Sequence, residues 1–159
     1  MSELFTESPA GTADTPERSA AWEEVERATS ELYRATRSRV KEMARRFDPP
    51  LTPLGFVVLQ SIWEEGPVRA GAVSAAIGLD KSILSRQIVA LRDAGLVVCQ
   101  PDPDDRRATL LVSSAAAREQ IAKLSRRSRD EHHRALSSWT TEDLATFARL
   151  LGMFNQSTD

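Results

Sequence analysis

The chain has 159 residues, of which 41% are hydrophobic and 28% charged, and its formal net charge is −2. This length suits one domain that can bury a sizeable core. A single cysteine excludes an internal disulfide framework, and no apolar run approaches the roughly 20 residues that a membrane-spanning helix needs. The N-terminus lacks the basic start and apolar stretch of a secretory signal, so we expect a cytoplasmic protein.

The acidic residues are concentrated at the N-terminal end. Residues 1–31 contain eight acids and two arginines, a balance of −6, which leaves +4 for the remainder of the chain. Because salt screens charges beyond about 8 Å, affinity for phosphate depends on the local basic face rather than on the total charge. The negative sum therefore does not exclude nucleic acid as a partner, although it argues against indiscriminate coating of DNA.

The first part of the chain predicts a tail followed by a long helix. Residues 1–16 are rich in Ser, Thr, Pro, Gly and acids, and we expect them to be disordered. Residues 17–48 predict an amphipathic helix, because apolar side chains recur at steps of three and four residues. The Asp48-Pro49-Pro50 sequence ends this helix.

Residues 51–113 predict a winged helix-turn-helix. A helix opens at Leu51-Thr52-Pro53, and two further helical segments, 73–77 and 81–94, flank a turn at Gly78-Leu79-Asp80. Two extended segments then enclose the loop 101–107, which is rich in Asp, Pro and Arg. A helix pair of this size fits the DNA major groove, and a hairpin beside it can reach a neighbouring groove.

Residues 114–157 predict two more amphipathic helices, the first capped by Ser114 and the second opened near Thr140. The fold class is therefore mostly α with a small β-hairpin wing. The apolar faces of the first and last helices lie outside the winged helix-turn-helix, so they need another surface. They can pack on each other within one chain or on a second chain, and we expect them to act as dimerisation helices.

Four segments, in this order and without gaps, resemble the multiple antibiotic resistance regulator (MarR) family. They are Leu51-Thr52-Pro53 with Phe56, Val58 and Leu59; Gly78-Leu79-Asp80-Lys81-Ser82; Leu91 with Ala94-Gly95-Leu96-Val97; and Asp102-Pro103-Asp104-Asp105-Arg106-Arg107-Ala108. The resemblance implies a homodimeric transcription regulator whose DNA affinity is switched by a small ligand or by oxidation. We expect a repressor that binds a pseudo-palindromic operator.

The second helix of the motif supplies the candidate base contacts. Its apolar residues can form a buried stripe, which leaves five polar residues on or near the exposed side: Lys81, Ser82, Ser85, Arg86 and Gln87. Arginine pairs with guanine, glutamine with adenine, and serine with either or with phosphate. The simpler alternative is a solvated helix face.

The wing supplies a second group of candidates. Arg107 lies two residues after Asp105, so in an extended segment the carboxylate can hold the guanidinium and reduce the entropy lost on entering a minor groove. The family resemblance gives the Asp-x-Arg pair this role. We expect Arg106 to contact phosphate. The alternative is a surface salt bridge worth about 0–1 kcal/mol.

Two functions other than DNA binding are compatible with the sequence. Cys99 in the first wing strand allows a thiol-based redox regulator, although no cationic or resolving neighbour is adjacent to it in sequence. The second alternative is a winged-helix module for protein–protein contact without DNA binding.

His132 and His133 are adjacent, so on a helix they point about 100° apart and do not form a metal pair. We expect no metal, no cofactor and no enzymatic activity.

An effector site is a further expectation where the long first helix, the Pro53–Trp63 helix and the helix after Ser114 converge, since the MarR-like proteins that this chain resembles often bind aromatic or phenolic acids in such a crevice. Tyr33, Arg37, Phe56 and Trp63 offer aromatic walls and a cation for an aromatic carboxylate. Core packing explains Phe56 and Trp63 equally well, and Tyr33 and Arg37 can face solvent instead.

Overall fold

A computed structural model describes residues 15–105 and 107–156, and within these ranges the chain forms six helices and three strands. Most of the expected tail, residues 1–14, lies outside the described residues, as do Arg106 and the last three positions. None of the helices within the described ranges is long and apolar enough to cross a membrane. The chain divides into two compact units at the Val57–Val58 bond.

The first unit contains helix α1, Pro16–Arg45. The Thr15 hydroxyl accepts a hydrogen bond from the Arg18 N–H at 3.3 Å, and Pro16 occupies the first turn, where its missing N–H has no partner to lose. After the helix, Phe47 packs edge-on against Phe56 with ring centroids 5.8 Å apart, and both rings are buried. Ala44 is the one buried residue of the thirty in α1.

Helix α2, Pro53–Glu65, runs across the boundary between the two units. In the second unit it is followed by helix α3, Ala70–Ile77, and helix α4, Lys81–Asp93. The core of this unit consists of aliphatic side chains from these helices, from the sheet that follows with Leu96 just before it, and from the helix after Ser114. Its largest fully buried members are Val58, Leu59, Ile62, Val73, Leu91 and Leu96.

The sheet has three antiparallel strands in the order β1-β3-β2: β1 is Val68–Arg69, β2 is Val97–Pro101 and β3 is Thr109–Ser113. Strands β2 and β3 form the predicted hairpin, in register from Val97 opposite Ser113 to Pro101 opposite Thr109. Strand β1 was not predicted, because two residues are too short to show a period. The mostly helical fold with a small β wing is confirmed.

Two glycines set the direction of α4. Gly78 ends α3 in the left-handed region, with φ of 64°, and the following Leu79 N–H donates to the Ser74 carbonyl. Gly95, with φ of 70°, follows α4, and the Leu96 N–H donates back to the Leu91 carbonyl. Glycine adopts this conformation without steric cost, which explains both turns.

Helix α5 is Ala115–Ala135, and its cap is the predicted Ser114, whose hydroxyl accepts from the Ala117 N–H at 3.1 Å. Helix α6 is Thr141–Gln156. Thr140 and Asp143 cap it reciprocally, since the threonine N–H and hydroxyl donate to the carboxylate and the Asp143 N–H donates to the hydroxyl. No residue of α6 is buried.

Candidate nucleic-acid interface

Helix α4 separates a buried side from an exposed polar side. Leu84 and Leu91 are 2% and 1% exposed, which fixes the buried side. Four of the five predicted contact residues lie in the exposed part of the helix: Lys81, Ser82, Ser85 and Arg86. The fifth, Gln87, is half-buried. Hydrogen-bonding side chains are thus concentrated in the N-terminal half of α4.

A groove of about 440 Å³ runs along one edge of this polar surface. Ala70 and Gly71 at the start of α3 form one wall, and residues of α4 form the other. The α4 wall consists of Lys81, Leu84, Ser85, Ile88, Val89 and Arg92. The small residues of α3 keep the groove open, because neither carries a side chain longer than a methyl group. Sequence reasoning missed the contribution of α3 and of Val89, although helical periodicity alone places Val89 two turns beyond Ser82.

An ion pair attaches the wing to β1. The Asp102 carboxylate accepts a hydrogen bond from Nε of Arg69 at 2.8 Å, and Nη2 of Arg69 forms an ion pair with the same oxygen at 2.6 Å. Its second oxygen accepts from the Asp104 N–H at 2.9 Å. The hydrogen bond from the Asp104 N–H and, after it, the bond from the Arg69 side chain lower the pKa of Asp102. The bond between the two side chains also raises the pKa of Arg69. Asp102 is 6% exposed, so the wing loop starts from a fixed point.

This pair was not found from the sequence. Its members lie 33 residues apart, and Asp102 was named only within the segment Asp102–Ala108 that resembles the MarR family. No local pattern connects two residues that meet through the pairing of β1 with β3.

The contact between Asp105 and Arg107 differs from the expected one. The Asp105 carboxylate accepts a hydrogen bond from the backbone N–H of Arg107 at 3.0 Å, in place of the predicted bond from its guanidinium. The prediction assumed an extended segment, whereas these residues form a turn closed by the Ala108 N–H and the Asp105 carbonyl at 2.8 Å. In such a turn the backbone N–H two residues ahead is the nearest donor. Arg107 is exposed, and Arg106 lies outside the described residues.

The remaining candidates are dispersed. Cys99 is exposed on β2, opposite Leu111 of β3. His132 and His133 are exposed near the end of α5, and the described part of the chain contains no group of three His, Cys, Asp or Glu residues that could hold a metal.

The four proposed effector residues have different surroundings. Tyr33 and Arg37 are exposed on α1, with Tyr33 at 57%. Phe56 is 3% exposed and packs on Phe47, whereas Trp63 on α2 is half-buried. Phe56 is therefore a core residue of the first unit.

Comparison with known proteins matches the segment of the chain that contains this candidate interface. The model of the MarR family matches residues 51–109, which contain α2, α3, α4 and the wing loop. An uncharacterised helix-turn-helix-type transcriptional regulator of Bacillus subtilis, YxaD, is 26% identical over 102 residues, covering 64% of this chain and 71% of that protein.

Solved structures show the same fold over most of the chain. A MarR family protein from Bacillus stearothermophilus superposes with a TM-score of 0.76 at 23% identity, over 91% of this chain and 98% of its own. A MarR-type regulator from Listeria monocytogenes, solved in complex with a 26mer DNA, has a TM-score of 0.67 at 18% identity, covering 82% and 86%. The family consists of transcription regulators rather than enzymes. Residues 51–109 therefore form a MarR family domain, and the chain shares the winged-helix fold of solved MarR family transcription regulators.

Proposed function

We propose that the protein is a cytoplasmic repressor that binds a pseudo-palindromic operator as a homodimer, with α4 in the major groove and the wing at an adjacent minor groove. The observation that carries this proposal is the exposed polar surface of α4, formed by Lys81, Ser82, Ser85 and Arg86. It lies in the same compact unit as the wing, whose loop is held at Asp102 and exposes Arg107. The Listeria relative was solved in complex with a 26mer DNA, which supports DNA as the partner.

Each side chain has a role that follows from its chemistry. Arg86 can donate two hydrogen bonds to guanine, and the two serines can bond to bases or phosphates. Lys81 is a point charge suited to phosphate. Gln87 is assigned to an adenine, for which its half-buried amide must turn outward. Arg107 enters the minor groove, and Arg106 contacts phosphate.

The proposed dimer rests on apolar side chains that the single chain leaves exposed. In the first unit, α1 exposes Trp22 at 63%, Val25 at 48% and Leu32 at 49%. In the second unit, α6 exposes Leu144, Phe147, Leu150, Met153 and Phe154, each at 40% or more. A second copy of the chain would cover both sets and present two copies of α4 about 34 Å apart, one turn of DNA.

Selection of duplexes from a random library by the purified protein tests the proposal. We expect a recovered site with two-fold symmetry and an affinity that falls with salt, with a log-log slope near −0.9 for each phosphate neutralised. A protein-interaction module would recover no preferred sequence. That result, or an affinity insensitive to salt, would exclude sequence-specific DNA binding.

We also propose that an aromatic acid releases the operator. Tyr33 and Arg37 are both exposed and one turn apart on α1, so an aromatic face and a cation are available on the same side of that helix. Benzoate or salicylate, added to a complex with the recovered duplex, should lower the affinity for DNA, and Arg37→Ala should abolish the response. If no aromatic acid tested shifts the binding curve, the effector part of the proposal is wrong.

A further inference from the structure

Val89 stands out on α4, because it is a large apolar residue on the exposed side. Its relative exposure is 51%, whereas the leucines of the buried side are 2% or less exposed. The structure describes every residue of α4, and among them Val89 is the one large hydrophobic residue that is exposed. A position that only faced water would gain nothing from an aliphatic side chain.

Val89 shares its surface with the residues proposed to read bases. It follows Ser82 by seven residues, almost two full helical turns, so the two side chains point in nearly the same direction, about 10 Å apart along the axis. Ser85 lies between them and lines the same groove as Val89. An apolar side chain therefore continues a row of hydrogen-bonding side chains on one helix face.

The surroundings of Val89 favour a polyanion over a protein as the molecule that covers it. Lys81 and Arg92 line the same groove, Arg86 is also exposed on α4, and Asp93 at the last position is the helix's one acid. One exposed valine beside the half-buried Ile88, in a groove that Lys81 and Arg92 also line, is far smaller than the apolar centre of a protein interface, which buries more than about 1,000 Å² in total.

We infer that Val89 is a specificity-determining residue that packs on the 5-methyl group of a thymine in the major groove. The inference rests on the proposed function and extends it to one base contact. The thymine methyl is the apolar feature that the major groove displays, and an aliphatic side chain makes contact with it where a polar one would lose a hydrogen bond to water. The serines and Arg86 would then read hydrogen-bonding edges beside a methyl read by Val89.

Replacement of thymine by uracil in a duplex recovered by the wild-type protein removes the methyl group and leaves base pairing and hydrogen-bonding edges intact. Tested one position at a time, at least one replacement in each half-site should weaken wild-type binding about fourfold, the value of one buried methyl group. Val89→Ala should bind the thymine duplex more weakly and lose the discrimination at that same position. Fluorescence anisotropy at fixed salt measures all four combinations.

Val98→Ala provides the matched control, because Val98 is also an exposed valine, at 42%, but lies on β2 outside α4. We expect this variant to keep the full wild-type discrimination between thymine and uracil. Equal binding of all substituted duplexes by the wild type, or unchanged discrimination in Val89→Ala, would overturn the inference while leaving the proposed function intact. Failure of the protein to bind any duplex would instead contradict the proposed function.

Discussion

Asp102 and Arg69 connect the sheet to the wing, and their geometry explains how an exposed loop keeps one conformation. The carboxylate is buried, forms an ion pair with Arg69, and accepts one hydrogen bond from Arg69 Nε and one from the Asp104 N–H. Charge-assisted bonds of this kind are about twice as strong as neutral ones and impose a defined geometry. In the proposed complex the pair would act by fixing the loop, without touching the DNA itself.

Substitution of Asp102 by Asn should loosen the wing without unfolding the protein. The amide retains the size of the carboxylate but lacks the charge that binds Arg69, so the loop 102–108 loses its attachment to β1. We expect faster amide hydrogen exchange at Asp104 and Ala108, and an operator affinity about tenfold weaker. Both backbone N–H groups are hydrogen-bonded in the native loop, and unchanged exchange in the variant would show that the ion pair does not order the wing.

The pH dependence of the wing follows from the lowered pKa of Asp102. A carboxyl group whose folded pKa lies below its usual 3.8 stabilises the fold above that value, and the contribution disappears as the pH falls through the folded pKa. This pair should therefore give no change in wing structure between about pH 5 and 8. An NMR titration of the Asp102 carboxyl carbon and the Asp104 amide measures this directly, and a midpoint above 3.8 would contradict the assignment.

Arg107 acts in the fold through its backbone and, in the proposed function, through its side chain. Arg107→Ala preserves the N–H that bonds to Asp105 and removes the guanidinium, so the loop should persist while operator affinity falls at least about tenfold, or 1.4 kcal/mol. Gel-shift titration with the recovered duplex measures the change, and circular dichroism verifies the fold. Equal affinity of the variant and the wild type would remove the wing arginine from the proposed interface.

At the scale of elements, alanine substitutions at Gly78 and Gly71 distinguish the effect of backbone conformation on stability from the effect of packing. Neither has an atom within 4 Å of the place where a Cβ would be added, but Gly78 has a φ of +64° and Gly71 lies within α3. Gly78→Ala should lower the free energy of unfolding by about 1–2 kcal/mol, because the left-handed region is strained for alanine. Gly71→Ala should leave it unchanged or raise it by up to about 1 kcal/mol.

Urea denaturation of the two glycine variants gives both values. The comparison needs no assumption about cavities, since both sites offer open space to a methyl group. Equal destabilisation of the two variants would mean that the left-handed turn between α3 and α4 is not what Gly78 contributes.

The helices could be predicted because each carries its own local signal. The three- and four-residue period, the Ser114 cap and the glycine after α4 are readable within a few residues. The hairpin followed from two short apolar runs around a loop rich in Asp and Pro. Strand β1 carries no period of its own, because it consists of two residues and exists through its pairing with β3.

The candidate site was only partly predictable, for the same reason. The exposed polar residues of α4 follow from helical period, and four of the five are exposed as expected. The Arg69–Asp102 pair depends on strand pairing over 33 residues, and the Asp105 contact depends on a turn where an extended segment was assumed. Sequence patterns thus predicted which residues of the candidate interface are exposed, whereas the contacts that hold its wing required the tertiary structure.

At the scale of the whole molecule, the exposed apolar side of α6 leads to a test of the proposed dimer. Leu150 is 50% exposed, and a charge there would oppose burial against a second copy. Leu150→Glu should therefore reduce the mass in solution from that of two chains to 17.6 kDa, that of one. Operator affinity should fall at least about a hundredfold, because a monomer engages one half-site and loses the gain from simultaneous binding.

Ala145→Glu is the matched control for the dimer test. Ala145 is also exposed on α6 but lies five residues before Leu150, which places it on the opposite, polar side of the helix. The control should have the mass of two chains and bind the operator with wild-type affinity, because the introduced charge stays in water. Light scattering and anisotropy on both variants distinguish the possibilities. A monomeric wild type, or a Leu150→Glu variant that remains dimeric, would show that α6 does not form the interface, whereas dissociation of both variants would indicate general damage to the helix.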